Sequence, residues 1–361
     1  SEAADEYGLY YAPDPSSQIA CTIGGNVAEN AGGVHCLKYG LTVQNIESIK
    51  IMMIDGDELV FSREDEGLGL LALMTGSEGL LGIITEITVK LTKKPQLAKL
   101  VMAGFDSVRD CANAVAEIIR NGIIPAGLEM MDEFAIKASE DFARPGYPLE
   151  SKALLLCELD GSEEFVNIDI DKVLSLLSKA QSVRVSESEE ERLLLWKGRK
   201  SAFPAVGRIS PDYYCMDGTI PKRHLADVLE KINKFSKHFS LRVANVFHAG
   251  DGNLHPLILY DAGIPGELEK AEEFGNEILK LCIEVGGSIT GEHGVGIEKL
   301  DAMCYQFSDA ELDVFHQIKA AFDPLSLLNP GKAIPTLNRC AELGSMHVHH
   351  GDLPHPELER F

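Results

Sequence analysis

The sequence predicts an α+β fold in two unequal parts. Strand-like and helix-like runs interleave from residue 98 to about 322, whereas residues 1–96 carry glycine-rich turns and short β-like runs with few helices. The texture changes at Lys93-Lys94-Pro95-Gln96, which places a boundary there. A length of 361 residues suits about two domains, and 45% apolar residues suffice for a sizeable core.

Each element has a local reason. IESIKIMMIDGDELVF (46–61) reads as a hairpin about Asp55-Gly56-Asp57, and IITEITVKL (83–91) alternates as a half-buried strand does. LVMAGF (100–105) reads as a strand. Ser107 caps a helix that runs through CANAVAEIIR and stops at Gly122. ALLLCELD (153–160) is a strand, and FVNIDIDKVLSLLSKA (165–180) is an amphipathic helix. YYCMDGTIP, RVANVFHAG and LHPLILYD are strands. A long helix follows, with Pro265 near its start and Gly286 at its end. Ser308 and Glu311 form a capping-box pattern before LDVFHQIKAAF. The segment after Pro335 reads as loop, and no internal repeat is present.

Charge narrows the partners. Lys and Arg total 33 against 56 Asp and Glu, a net −23, with no basic cluster set against that field. Nucleic acid is excluded as an expected partner, and any anion site must be made locally. The eight cysteines form no CxxC and several sit in apolar runs. They read as reduced core thiols of a cytoplasmic protein, not as a disulfide framework. No run approaches the roughly 20 apolar residues of a membrane helix, and no signal-peptide pattern precedes the fold. The opening SEAADEYG starts at Ser1 and leads at once into dense motif sequence, as in a fragment of a longer chain.

Three constellations bear chemistry. FHAGDGNLHP (247–256) sets His248 and His255 at the two mouths of one tight turn. If the flanking runs pair, both imidazoles reach one point. GSITGEHGVGIEKL (287–300) offers Glu292 as a third ligand, with His293 beside it as a general base. Two turn histidines also arise as plain hydrogen-bonded turn residues, and spacing leaves both readings open. PDPSSQIACTIGGNVAENAGGVHCLKYG (13–40) and TGSEGLLGIITE (75–86) are neither GxGxxG nor a P-loop. They read as backbone wrapped on a flat or phosphorylated ligand, or as tight turns. WKGRKSAFPAVG (196–207) holds Arg199, either a fork for a carboxylate or part of a solvated helix face with Lys197 and Lys200.

These segments, together with KYGLT, GRISPDYYCMDGTIP, AFDPLSLLNPGK and RCAELGSMHVHHG, occur in order over essentially the whole chain. Their pattern resembles the FAD-linked 2-hydroxy-acid dehydrogenases of the vanillyl-alcohol-oxidase type, and most of all the glycolate-oxidising branch. The resemblance implies the C-terminal part of a PCMH-type FAD-binding domain over residues 1–96, with its N-terminal lobe absent. A ferredoxin-like α+β substrate (cap) domain follows over 97–335, then a tail over 336–361. It implies that Pro15, Gly24, Gly25, Asn26, Asn30, Gly32, Tyr39, Gly40, Glu78, Gly79, Gly82, Ile83, Ile84 and Asn329 line FAD. It implies zinc or manganese on His248, His255 and Glu292, with His293 as catalytic base and Arg199 on the substrate carboxylate.

The implied reaction is oxidation of a small 2-hydroxy acid, glycolate before D-lactate, to the 2-oxo acid. Relatives acting on 2-hydroxy dicarboxylates carry lysine in the strand where Cys215 stands, which favours a monocarboxylate here. Electrons would pass to a quinone or to partner subunits, one of them flavin-domain-like and one carrying iron–sulfur clusters. Membrane association would be at most peripheral, at the inner face. Without the absent lobe, this chain alone is expected to hold FAD weakly. The alternatives are a non-catalytic fragment lacking FAD and a metal-dependent hydrolase using the same histidines and glutamate. Cys340, His347, His349 and His350 read as a partner-docking or disordered tail ahead of a metal site.

Overall fold

The computed structural model describes residues 1–18 and 20–336. Cys340, His347, His349 and His350 of the expected tail therefore lie outside the described residues. A two-stranded ribbon pairs β1 (Leu9–Tyr10) with β5 (Thr92–Lys93). A three-stranded antiparallel sheet runs β3 (Glu58–Ser62), β2 (Ile46–Met52), β4 (Ile83–Val89). The other strands are β6 (Leu97–Phe105), β7 (Gly127–Asp132), β8 (Ala153–Gly161), β9 (Ser182–Val185), β10 (Asp212–Cys215), β11 (Arg242–His248) and β12 (Asn253–Tyr260). They form one antiparallel seven-stranded sheet in the order β10-β12-β11-β7-β8-β6-β9.

Burial on both faces explains why the inner strands are apolar without interruption. Leu155, Cys157 and Leu159 of β8 enter one hydrophobic cluster, and Leu154 and Leu156 enter the other, as the two-residue period of a strand requires. Helices Val108–Arg120, Glu163–Leu176, Leu225–Phe239 and Glu267–Glu284 contribute to the first cluster. Helices Glu133–Ala143, Glu189–Lys200 and Ala202–Val206 contribute to the second.

The expected caps form. Ser107 accepts from the amide of Asp110 at 3.3 Å, and Ser308 and Glu311 close a capping box. Strands β7 and β9 and the helices over 133–143 and 225–239 add to the expected elements. The N-terminal part holds short helices where turns were expected. Thr22 caps Ile23–Glu29 by accepting from the amide of Gly25 at 2.9 Å.

Cys21, Cys36, Cys111, Cys157, Cys215 and Cys282 are free thiols. No helix among the described residues is long and apolar enough to cross a membrane.

Two contacts hold the site's surroundings in place. At the β11–β12 turn Gly252 has φ +88°, and a Cβ there would stand 2.2 Å from the carbonyl oxygen of Ile220. The second is an ion cluster between the N-terminal part and the large sheet. His35 bridges Asp14, at 2.9 Å, and Glu158 of β8, at 3.0 Å. Glu158 also accepts from Arg192 at 2.6 Å and from the Trp196 indole. Burial alone would lower the His35 pKa, but the hydrogen bonds it donates to both carboxylates outweigh it and push it up to about 10. Burial likewise opposes ionisation of Glu158, yet His35 and Arg192 bring it down to about 2.

Gly252→Ala combines a left-handed backbone with a backbone clash, so it should lower unfolding stability by roughly 1–3 kcal/mol or more. Urea unfolding reads this as a lower midpoint at unchanged slope. The His35 contribution is complete below its ordinary value of 6.5 and is lost as pH rises toward about 10. Urea midpoints should therefore fall from pH 7 to pH 10 in the parent chain. His35→Gln should start lower and fall less over the same interval, and parallel curves would remove His35 from the account.

Candidate functional site

The β11–β12 hairpin puts both turn histidines on one face. His248 pairs with Asn253, and His255, two residues on, pairs with Val246. The two imidazoles are therefore diagonal neighbours across adjacent strands. Their ring centroids lie 5.0 Å apart at 90°. Glu292 enters from the loop over 290–294, with Oε1 at 3.3 Å from His248 Nε2 and 3.1 Å from His255 Nε2. The ligand atoms of His248, His255 and Glu292 all lie within 4.8 Å of one another. His293 stacks on His255 at 5.0 Å and 19°.

Behind this group stand residues that the sequence reading did not single out. Glu129 of β7 faces the same way, and its Oε1 lies 2.8 Å from His248 Nδ1. That contact fixes the tautomer and leaves Nε2 directed at Glu292. Glu129 Oε2 is also 2.6 Å from a terminal nitrogen of Arg199. Both side chains are only 1% exposed. Arg199 is thus not part of a solvated helix face, because Leu195, Trp196 and Arg199 lie on the helix side that packs onto the sheet.

Asp217, just past β10, organises the loop. It is fully buried. Its carboxylate accepts from the amides of Gly291 (3.0 Å), Glu292 (3.2 Å) and His293 (2.9 Å) and from the Thr290 hydroxyl (2.6 Å). Asn253 Nδ2 donates to it at 3.0 Å, which ties the loop to the hairpin. Lys299, 2% exposed, balances the charge at 3.0 Å and donates to the Gly294 carbonyl at 2.9 Å.

Electrostatics follow from these partners. Burial opposes ionisation of Glu292, but hydrogen bonds to His248 and His255 hold its pKa well below the ordinary carboxylate value. Burial also disfavours charge on His248, yet Glu129 and then Glu292 raise its pKa well above 6.5. His293 goes the other way. Desolvation beside the cavity wall lowers its pKa and outweighs the attraction of Asp217, although the side chain is partly open to solvent.

A cavity of about 670 Å³ opens on this group. His255, Glu292 and His293 form one wall, Pro15, Gly25 and Asn26 another, and Lys200 and Phe203 a third. A second cavity of about 410 Å³ continues past His293 and Glu29 to Glu78 and Asn329. Glu78 accepts from the amides of Val295 (2.7 Å) and Gly296 (2.8 Å), and Asn329 donates to the Glu78 carbonyl at 2.6 Å. Burial, then the neighbouring Glu78, pushes Glu29 up to about 7. Gly24 shares the capped helix with Gly25 and Asn26. Gly32 lies so close to Glu292 that a Cβ would meet its Oε2 at 2.6 Å.

Other residues expected to line FAD sit further off. Asn30 ends the capped helix in a left-handed conformation and accepts from the Val43 amide at 3.0 Å. Tyr39 donates to Asp160 at 2.5 Å, and Gly40 follows it. Gly79 turns with φ +71°, and a Cβ on Gly82 would strike Ile51. Ile83 and Ile84 open β4, opposite Met52 and Ile51. None of these lines either cavity.

The donor set fits a divalent cation: two imidazole nitrogens, one oriented by a carboxylate, and a carboxylate oxygen. The larger cavity fits a flat cofactor, since Pro15, Gly25 and Asn26 of the capped glycine-rich segment line it together with the His–Glu group.

Comparison with known proteins supports the flavin. Residues 94–333 match the family model described as FAD linked oxidases, C-terminal domain, and residues 1–62 match an FAD binding domain. The chain is 62% identical to the glycolate oxidase subunit GlcD of Escherichia coli (strain K12), over 100% of this chain and 73% of that protein. It is 31% identical to the mitochondrial D-lactate dehydrogenase [cytochrome] of Arabidopsis thaliana, over 93% of this chain and 60% of that protein. The crystal structure of p-cresol methylhydroxylase with substrate bound shares the fold, with TM-score 0.74 at 17% identity, over 93% of this chain and 74% of that one. Neither alternative, a non-catalytic fragment or a metal hydrolase, is favoured by these relatives. The α+β chain whose hairpin, loop and glycine-rich segment meet at this cavity belongs to the FAD-linked oxidases.

Proposed function

We propose that the chain oxidises a small 2-hydroxy acid to the 2-oxo acid, glycolate before D-lactate. The observation that carries this reading is that His255, Glu292 and His293, with His248 grouped behind them, line one cavity together with Pro15, Gly25 and Asn26 of the glycine-rich segment. Residues 1–96 would serve the flavin and residues 97–335 the substrate. Pro15, Gly25 and Asn26 would hold FAD beside the site, with Glu78 and Asn329 at its far end. FAD, when bound, supplies the two-electron acceptor. A zinc or manganese ion held by His248, His255 and Glu292 would supply Lewis-acid polarisation of the substrate oxygens.

The chain's own groups do the rest. Desolvation lowers the pKa of His293, which leaves its ring free to take the α-hydroxyl proton. Its stacking on His255 fixes the ring's direction. Glu129 orients His248 and holds Arg199 by one nitrogen. The buried Nε of Arg199 has no partner among the described residues and is the atom proposed for the substrate carboxylate. Phe203, at 6.1 Å from the His255 ring, narrows the cavity and favours a small substrate. Electrons leave by partner subunits or a quinone, in keeping with the naming of one relative as a subunit. Any membrane contact is peripheral.

His248→Ala, His255→Ala and Glu292→Ala should each lower bound divalent metal and glycolate turnover together. His293→Asn should keep the metal and lower kcat about 100-fold or more. Elemental analysis beside dye-linked turnover separates the two classes. Unchanged metal in all three ligand variants would remove the ion, and a wild-type kcat in His293→Asn would remove the base. Arg199→Lys should raise the KM for glycolate at constant flavin content, because an ammonium replaces a planar fork.

A further inference from the structure

We propose a second cation position in this fold, formed by Cys215, His255 and His293 and selective for thiophilic divalent ions. It shares His255 with the His248–His255–Glu292 group, so the two positions exclude each other. This proposal goes beyond the oxidation reading, and cation binding here does not depend on it.

Sheet register creates the juxtaposition. Cys215 of β10 pairs with Leu257 of β12. His255 lies two residues from Leu257, so Cys215 and His255 are diagonal neighbours on one face, as His255 and His248 are across the next strand pair. Cys215, His255 and His248 therefore form a row across β10, β12 and β11. His293, stacked on His255, closes a triangle with Cys215. The ligand atoms of Cys215, His255 and His293 lie within 4.8 Å of one another. An ion among three such atoms can stand within about 2.8 Å of each, and closure by a few tenths of an ångström gives bonding distances.

A second observation points the same way. His255 is 2% exposed, yet its Nδ1 has no hydrogen-bond partner among the described residues. A buried imidazole nitrogen left unpaired is costly unless something takes it. Cys215 Sγ has only a weak contact to its neighbour's carbonyl, 3.4 Å to Met216 O. The thiol and two imidazoles are thus available to one ion.

Ligand softness decides which ion. Thiolate with imidazole prefers zinc or cadmium, whereas two imidazoles and a carboxylate accept manganese. On binding, the metal–sulfur bond forms as the S–H bond breaks, and the proton leaves through the cavity that His293 faces. Such an ion occupies His293 and removes His255 from the other group. Thiophilic ions therefore silence the site by displacement.

The test uses the FAD-loaded protein carrying manganese, titrated with cadmium chloride. Cadmium–thiolate charge-transfer absorption and elemental analysis are the readouts. The proposal expects about one cadmium per chain, the thiolate band, and loss of manganese in step with cadmium uptake. Cys215→Ser should lose the band and weaken cadmium binding roughly tenfold or more. Cys21→Ser, which removes a thiol lining the same cavity, and Cys36→Ser should both keep the band. Glu292→Gln should keep the band while losing manganese. A band that survives in Cys215→Ser overturns the proposal, as does cadmium bound without a thiolate band. Cadmium and manganese bound together, one of each, overturn the mutual exclusion. Manganese retained in Glu292→Gln counts against the His–His–Glu group alone.

Discussion

Asp217 carries a negative charge where no water reaches it, and the loop over 290–294 is shaped by the need to satisfy it. Its two oxygens take three consecutive backbone amides, a hydroxyl, an amide side chain and the Lys299 ammonium. Leaving one member of such a buried pair uncompensated costs roughly 3–5 kcal/mol. The loop consequently has one conformation that meets the demand, and that conformation aims Glu292 at the two hairpin histidines. Gly291 permits it, since a Cβ there would fall 1.6 Å from Asn253 Nδ2.

The large sheet supplies the other half of the geometry. Four adjacent strands, β10, β12, β11 and β7, place Cys215, His255, His248 and Glu129 on one face. On most of that face the same positions are apolar and pack against the helices over 133–143 and 189–200. The site is thus a polar row cut into a hydrophobic layer. Low dielectric there strengthens each charge contact and makes an unpaired group costly. The row meets the glycine-rich part through Gly32, whose lack of a side chain makes room for Glu292. The ion cluster around His35 also holds the same two parts together.

Signals that are local in the chain were legible in the sequence. His248 and His255 flank one turn, and Glu292 and His293 sit between two glycines. The capping residues Ser107 and Ser308 were readable for the same reason. Contacts between distant segments were not. Glu129 reaches His248 across 119 residues, and in the mostly apolar run GLEMMD, which also ends in Asp132, it gave only a faint sign. Asp217 stands in YYCMDG, but its partners lie 36 to 82 residues on. Arg199 shares its helix with six other charged residues, Glu189, Glu190, Glu191, Arg192, Lys197 and Lys200, so its burial emerges only when that helix packs. Register likewise hid Cys215, whose pairing with Leu257 brings it beside His255.

Asp217 fixes the loop, and amide hydrogen exchange reads that directly. The amides of Gly291, Glu292 and His293 should be strongly protected in the parent chain. In Asp217→Asn they should exchange about 100-fold faster or more, while the β11 and β12 amides change far less. Equal exchange in the two proteins, or unprotected loop amides in the parent, would contradict the claim that this one buried carboxylate positions the site.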